Sequence, residues 1–191
     1  MEIVFATHNL NKLEEIKAAL PLGFVLRSLT DIGCTEDIPE TGDTLAENAA
    51  IKANHVTQTY GLNCFSDDTG LLINALHGAP GVYSARYAGP QKNAEDNMAK
   101  VLMELEEASD RSAYFQTVIH LNWQGEAHSF VGEVHGKIIH EKRGDGGFGY
   151  DPIFVPEGYE KTFAELPLSI KNQISHRGKA FQKLMAFLKS S

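Results

Sequence analysis

The sequence predicts an α/β fold with a mixed central sheet, and three observations carry that expectation. An unbroken apolar run, Ile3-Val4-Phe5-Ala6, reads as a buried strand in a parallel or central position. Strand-like and helix-like segments alternate through the first half of the chain. The second half holds a β-rich ribbon, residues 113–123 and 127–140, joined by the hairpin signal Gln124-Gly125-Glu126. With 191 residues, 42% of them apolar and 22% charged, the chain has ample material for a core. The expectation is a single domain, residues 1–191, folded as two lobes with a cleft between them.

Composition excludes several functions. A formal charge of −8 argues against a duplex nucleic-acid binder, which normally presents a basic face. A small anionic ligand stays open, because Lys, Arg and a metal can reverse the sign locally. Cys34 and Cys64 are too few for a disulfide framework and lack CxxC spacing, so reduced thiols are expected. The segment Met1-Glu2-Ile3-Val4-Phe5-Ala6 is too short and too acidic to read as a signal peptide. No apolar run approaches the roughly 18 residues a membrane helix needs. The expectation is a cytoplasmic protein without a membrane partner.

Taken in order, the first strand runs into Thr7-His8-Asn9-Leu10-Asn11-Lys12 and a helix to about Leu20, with Leu13, Ile16 and Leu20 on its apolar face. Such a junction presents free N–H groups and a positive dipole end to an anion, with Lys12 near it. It serves equally as a plain Asn cap beside a surface lysine. It is not a Walker A loop, since it has no glycines. Residues 24–28 read as a second strand. The polar stretch 30–44 that follows is either solvated or supplies a metal carboxylate from Glu40-Thr41-Gly42. A helix over 44–60 buries Leu45, Ala49, Ala53, Val56 and Tyr60, leaving Lys52 on a neighbouring face.

A short β-like run, residues 62–65, then meets Ser66-Asp67-Asp68-Thr69-Gly70, read as a strand end. Adjacent carboxylates there suit a turn or, if desolvated, a cation site. The loop 78–87 is punctuated by Gly and Pro, and residues 91–108 read as a structural amphipathic helix. His120, His128, His135 and His140 match no metal-ligand spacing. The stretch 143–152 is glycine-rich and carries Phe148, Gly149, Tyr150 and Asp151. Its glycines admit close backbone approach, and its aromatics offer faces to a planar base. A last helix begins near Ser175, with Lys171, His176 and Arg177 gathered at its start. Cations there oppose the helix dipole, a conflict that a bound anion would remove.

Together these residues describe a metal-dependent enzyme acting on a nucleotide polyphosphate: carboxylates for Mg²⁺, cations for phosphates and aromatics for a base. Thr7-His8-Asn9-x-x-Lys12, Glu40-Thr41-Gly42, Glu47-Asn48-Ala49, Ser66-Asp67-Asp68-Thr69-Gly70, Gly78-Ala79-Pro80-Gly81, Phe148-Gly149-Tyr150-Asp151-Pro152 and Ser175-His176-Arg177 also carry a resemblance. In order and over nearly the whole chain, they resemble the inosine/xanthosine triphosphate pyrophosphatase family. His8 is a departure, standing where that family commonly has Gly. The resemblance implies Mg²⁺-dependent hydrolysis of ITP, dITP and XTP to monophosphate and pyrophosphate, by a homodimer of elongated two-lobed subunits with the site in the cleft. It implies Asp68 as general base and metal ligand, with Glu40 and Asp67 as further metal carboxylates. It implies phosphate contacts from Thr7, Asn9, Lys12, Lys52 and Thr69, with His8, Leu10 and Asn11 in the same substrate-binding segment. Phe148, Gly149, Tyr150, Asp151, Lys171, His176 and Arg177 would hold the base and sugar-phosphate. A donor near His176 and Arg177 would accept a 6-oxo purine and reject adenine.

Overall fold

The computed structural model describes residues 2–19 and 23–190. Six strands form one sheet in the hydrogen-bonded order β2-β1-β3-β4-β5-β6. They are β1 (Glu2–Phe5), β2 (Val25–Ser28), β3 (Cys64–Ile73), β4 (Ser112–Trp123), β5 (Glu126–Ile138) and β6 (Phe154–Pro156). The helices are α1 (Leu10–Ala19), α2 (Leu45–Tyr60), α3 (Ala94–Glu104), α4 (Leu168–Ile174) and α5 (His176–Ser190). β1 lies parallel to β2 and to β3, whereas β6 pairs antiparallel with β5, so the sheet is mixed as the sequence implies. No described helix is long and apolar enough to cross a membrane.

Backbone contacts divide the chain into two compact units. The first takes Met1–Asp68, Val118–Val131 and Ala180–Ser191. Its core gathers Phe5, Phe65, Leu121, Phe181 and Leu184, with the Phe5 and Phe65 rings stacked at 4.6 Å. Each such fully buried ring contributes about 1.5–3 kcal/mol from burial. A second cluster, with Val4, Ala53, Val56 and Cys64, packs α2 against β1. The other unit takes Thr69–Thr117 and Gly132–Lys179 around Leu71, Val101, Phe115, Tyr150, Phe154 and Phe163.

Local chemistry sets the ends of the elements. Thr44 and Glu47 form a reciprocal capping box that starts α2, and Gly61, in the left-handed region, ends it. Asn93 caps α3 by accepting from Asp96 N–H, so that helix starts later than the periodicity of residues 91–108 implies. Gln124 and Gly125 both have positive φ, the conformation that a two-residue hairpin turn requires. The Leu20 end of α1 lies outside the described residues.

Two expectations are corrected. Asp67 and Asp68 do not sit at a strand end: they occupy the middle of β3, one strand of ten residues. Main-chain ladder bonds and burial hold polar residues extended where turn chemistry alone would bend them. Lys171 does not stand at the start of the last helix either. It lies in the final turn of α4, a separate helix where a cation agrees with the dipole. Extended Ser175 breaks the chain between α4 and α5, and its Oγ accepts from Gly178 N–H as the α5 cap.

Candidate functional site

In the first unit, the middle of β3 faces lysines from α1 and α2. Ser66 Oγ donates to the carbonyl of Ala49, tying β3 to α2. Lys12 Nζ donates to Asp67 Oδ1 at 2.9 Å. Lys52 Nζ donates to Glu40 Oε1 at 2.5 Å and to the Asp67 carbonyl at 2.7 Å. The Lys52 that reads as a surface residue from periodicity is therefore largely buried, because three carboxylates draw it inward. Burial alone would lower its pKa. Asp68, Glu40 and Asp67 outweigh that penalty and raise it, so Lys52 is a firmly held cation.

Asp68 shows the opposite balance. Burial pushes its carboxyl upward, Lys52 and Lys12 pull it down, and Glu40 and Asp67 push it up again; the net shift is upward. A carboxylate raised in this way is a better proton acceptor near neutral pH than an ordinary one.

The junction before α1 is built from side-chain caps. Asn9 N–H donates to Thr7 Oγ1 at 3.1 Å, and Lys12 N–H donates to Asn9 Oδ1 at 3.3 Å. Asn9 is thus the N-cap of the helix from which Lys12 reaches Asp67. His8 donates from Nε2 to the Glu36 carbonyl at 3.1 Å. His8 is not among the residues with positive φ, so this junction is reached without the left-handed backbone that glycine favours. Leu10 is exposed, and the Asn11 side chain lies outside the described residues.

The loop carrying Glu40 is pinned by residues whose importance sequence periodicity does not reveal. Gly42 N–H donates to Asn48 Oδ1 at 2.8 Å, while Glu47 Oε2 accepts from the N–H groups of Asp43 and Thr44. A Cβ on Gly42 would collide with Glu47 and Asn48, which accounts for glycine there. The Thr44-x-x-Glu47 spacing was the available signal.

The second unit forms its own cluster. Asp151 Oδ2 accepts from Lys171 Nζ at 2.8 Å and from Phe148 N–H at 2.8 Å. The Phe148 ring carries the Lys171 ammonium at 4.7 Å and the Arg177 guanidinium at 5.5 Å. Arg177 donates to Thr69 Oγ1 at 3.4 Å, and that hydroxyl lies 2.7 Å from Thr117 Oγ1. His176 stacks on Phe115, with centroids 4.7 Å apart and planes 16° apart. Tyr150 departs from its expected role. Its ring is core, and its hydroxyl donates to the Ser84 carbonyl at 2.7 Å, so it offers no open face to a base. This bond to Ser84 was not legible, because a lone serine in a loop gives no periodic signal.

Residues 3–187 match the Ham1 family. The chain belongs to the Ham1 family. A dITP/XTP pyrophosphatase from Flavobacterium johnsoniae is 58% identical over 188 residues, covering 98% of both chains. Another of that name, from Christiangramia forsetii, is 56% identical over 188 residues, covering 98% of this chain and 99% of its own. Among solved structures, a HAM1 protein from Coxiella burnetii superposes with a TM-score of 0.93 at 43% identity, covering 100% of each chain.

In this Ham1 chain, Lys12, Glu40, Lys52, Asp67 and Asp68 fall in one unit, and Thr69, Phe148, Asp151, Lys171, His176 and Arg177 fall in the other. Glu40, Asp67 and Asp68 offer only hard oxygen donors, the chemistry that suits Mg²⁺. Burial first, and then the like charges of Glu40 and Asp67, raise the Asp68 carboxyl, and a divalent cation would favour its charged form.

Proposed function

We propose that this Ham1 chain is a nucleoside-triphosphate diphosphatase. Its substrates are the non-standard purine nucleotides ITP, dITP and XTP, which it converts to monophosphate and pyrophosphate with Mg²⁺, keeping them out of DNA and RNA. The observation that carries this reading is the buried Asp68, held by burial above the usual carboxylate range and flanked by Lys12 and Lys52. The names of its relatives, dITP/XTP pyrophosphatases, support it. The functional domain spans residues 1–191, working in the cytoplasm as a homodimer without nucleic-acid or membrane partners; sedimentation tests the dimer.

The reaction needs positioning and charge neutralisation more than covalent chemistry. Lys12, Lys52 and Thr69 take the phosphates, together with the side chains of Thr7, His8 and Asn9 and the main chain of residues 7–11 at the positive end of the α1 dipole. Mg²⁺, held by Asp68, Glu40 and Asp67, supplies further neutralisation of phosphate charge when bound. Asp68 accepts a proton from water, whose oxygen attacks the α-phosphorus. The bond to the bridging oxygen of the β-phosphate breaks, pyrophosphate leaves with that electron pair, and Asp68 returns its proton to solvent.

Phe148 offers a ring to the purine, and Arg177 and His176 supply donors for a 6-oxo group. Lys171 and Asp151 hold the Phe148 loop from beneath. Adenine presents a 6-amino donor, so at that position it meets the same donors with no acceptor to answer them. The test is a panel of ITP, dITP, XTP, GTP, ATP and 7-methyl-GTP with Mg²⁺, scored for pyrophosphate. Preference for ITP and XTP is expected. Preference for ATP or the methylated nucleotide, or release of inorganic phosphate instead, overturns the assignment.

A further inference from the structure

We propose that Cys34, Glu36 and His55 form a second metal site, suited to Zn²⁺ rather than Mg²⁺. The Cys34 sulfur, a Glu36 carboxylate oxygen and a His55 ring nitrogen all lie within 4.8 Å of one another. Tetrahedral zinc bonds of about 2.0–2.3 Å set ligand atoms roughly 3.5 Å apart, so a modest contraction closes the site. Thiolate, imidazole and carboxylate together are a zinc donor set, whereas Mg²⁺ takes oxygens.

Three independent features build this site. His55 Nε2 is buried and makes no hydrogen bond, although Glu36 Oε1 stands 3.5 Å away. A buried ring nitrogen left in that state is costly, and a metal bond would satisfy it. Gly33, at φ +76°, turns the chain so that Cys34 N–H donates to the Leu29 carbonyl at 2.9 Å, fixing the thiol in a buried position. Beside the ligands, His8 donates to the Glu36 carbonyl at 3.1 Å. Such an outer contact helps to hold a ligand-bearing segment in place.

Binding displaces the Cys34 proton to solvent, and the fourth tetrahedral position takes water. The ion would staple the loop after Gly33 to α2. Lys52 stands one turn before His55 on that helix, and Glu40 lies on that loop, so the staple braces their contact.

The test uses the purified full chain, stripped by a chelator and titrated with Co²⁺ as a spectroscopic probe and then with Zn²⁺. One equivalent of Co²⁺ is expected to give a near-ultraviolet thiolate-to-metal charge-transfer band, with release of one proton, and Zn²⁺ is expected to abolish the band. Cys34→Ser should remove the band, and Cys64→Ser should keep it. His55→Gln should weaken Zn²⁺ binding by more than the roughly 10–100-fold that an outer partner costs. If Cys34→Ser fails to fold, His55→Gln decides the matter, because that ring is 31% exposed and tolerates exchange. No band from the wild-type chain, a band that survives Cys34→Ser, or wild-type Zn²⁺ affinity in His55→Gln overturns the site.

Discussion

Lys12 Nζ donates to Asp67 Oδ1 at 2.9 Å, joining α1 to β3 across 55 residues of sequence. That bond distinguishes two adjacent aspartates which composition cannot tell apart. Asp67 holds a cation, while Asp68 carries the raised carboxyl. Asp68→Asn is therefore expected to lower kcat for ITP by about 100-fold or more, the scale of a lost general base. Asp67→Asn and Lys12→Ala should act chiefly on KM, and their double mutant should fall short of the summed effects because they share one contact. Steady-state kinetics on the four proteins decides it. Equal kcat losses for Asp67→Asn and Asp68→Asn would return the pair to a single role.

The Asp68 shift also fixes the direction of two pH effects. A base works only when deprotonated, so kcat/KM should fall with decreasing pH through a value above the ordinary 3.8. For stability the sign is opposite. A carboxyl raised on folding contributes stability below its unfolded pKa and loses it as pH rises through the folded value. Asp68→Asn removes that loss. At neutral pH the variant should unfold at the same or a higher temperature than the wild type, and thermal scans at neutral and acidic pH test this. A lower Tm at neutral pH would show that the charged Asp68 holds the fold together.

Lys171 and Asp151 are both only 5% exposed, and their 2.8 Å contact ties α4 to the glycine-rich loop. Removing one partner strands a buried charge, so Lys171→Ala should destabilise the chain by about 3–5 kcal/mol. Asp151 also accepts the Phe148 N–H, so the loop should loosen with it. Gly147→Ala should act at the same point, because its Cβ would meet the Asp151 carboxylate and its φ of +73° disfavours a side chain. Urea unfolding measures the first effect, and hydrogen exchange at Phe148 the second. A Lys171→Ala chain with wild-type stability but poor substrate use would make Lys171 a ligand contact alone.

The strand-and-helix order was legible because apolar periodicity is a property of short segments. Ile3 to Ala6, the α2 face and the Gln124-Gly125 hairpin each declare themselves locally. Residues 66–70 were misread as a break because turn propensity is also local, whereas the ladder and lysines that hold β3 straight come from distant sequence. The same limit hid the partners of the candidate residues. Nothing near Lys52 announces Glu40, and nothing near Asp151 announces Lys171. The Tyr150 ring was given to a ligand because aromatic residues in a glycine-rich loop look the same whether they face outward or into a core.

Arg177 offers a test of base selection. Its guanidinium lies 5.5 Å from the Phe148 ring centroid and donates to Thr69, and it is only 4% exposed at the start of α5. If it answers the purine 6-oxo group, Arg177→Ala should narrow the preference for ITP over ATP by roughly 10–100-fold, the 1.5–3 kcal/mol typical of a charged hydrogen bond. The loss should fall on ITP, since ATP does not use that bond. Phe148→Ala should instead weaken both nucleotides alike, because a ring face stacks on any purine. Comparing kcat/KM for ITP and ATP in the two variants separates recognition of the 6-position from stacking. Equal losses on both substrates in Arg177→Ala would assign the guanidinium to phosphate, leaving selection to His176 and its stack on Phe115.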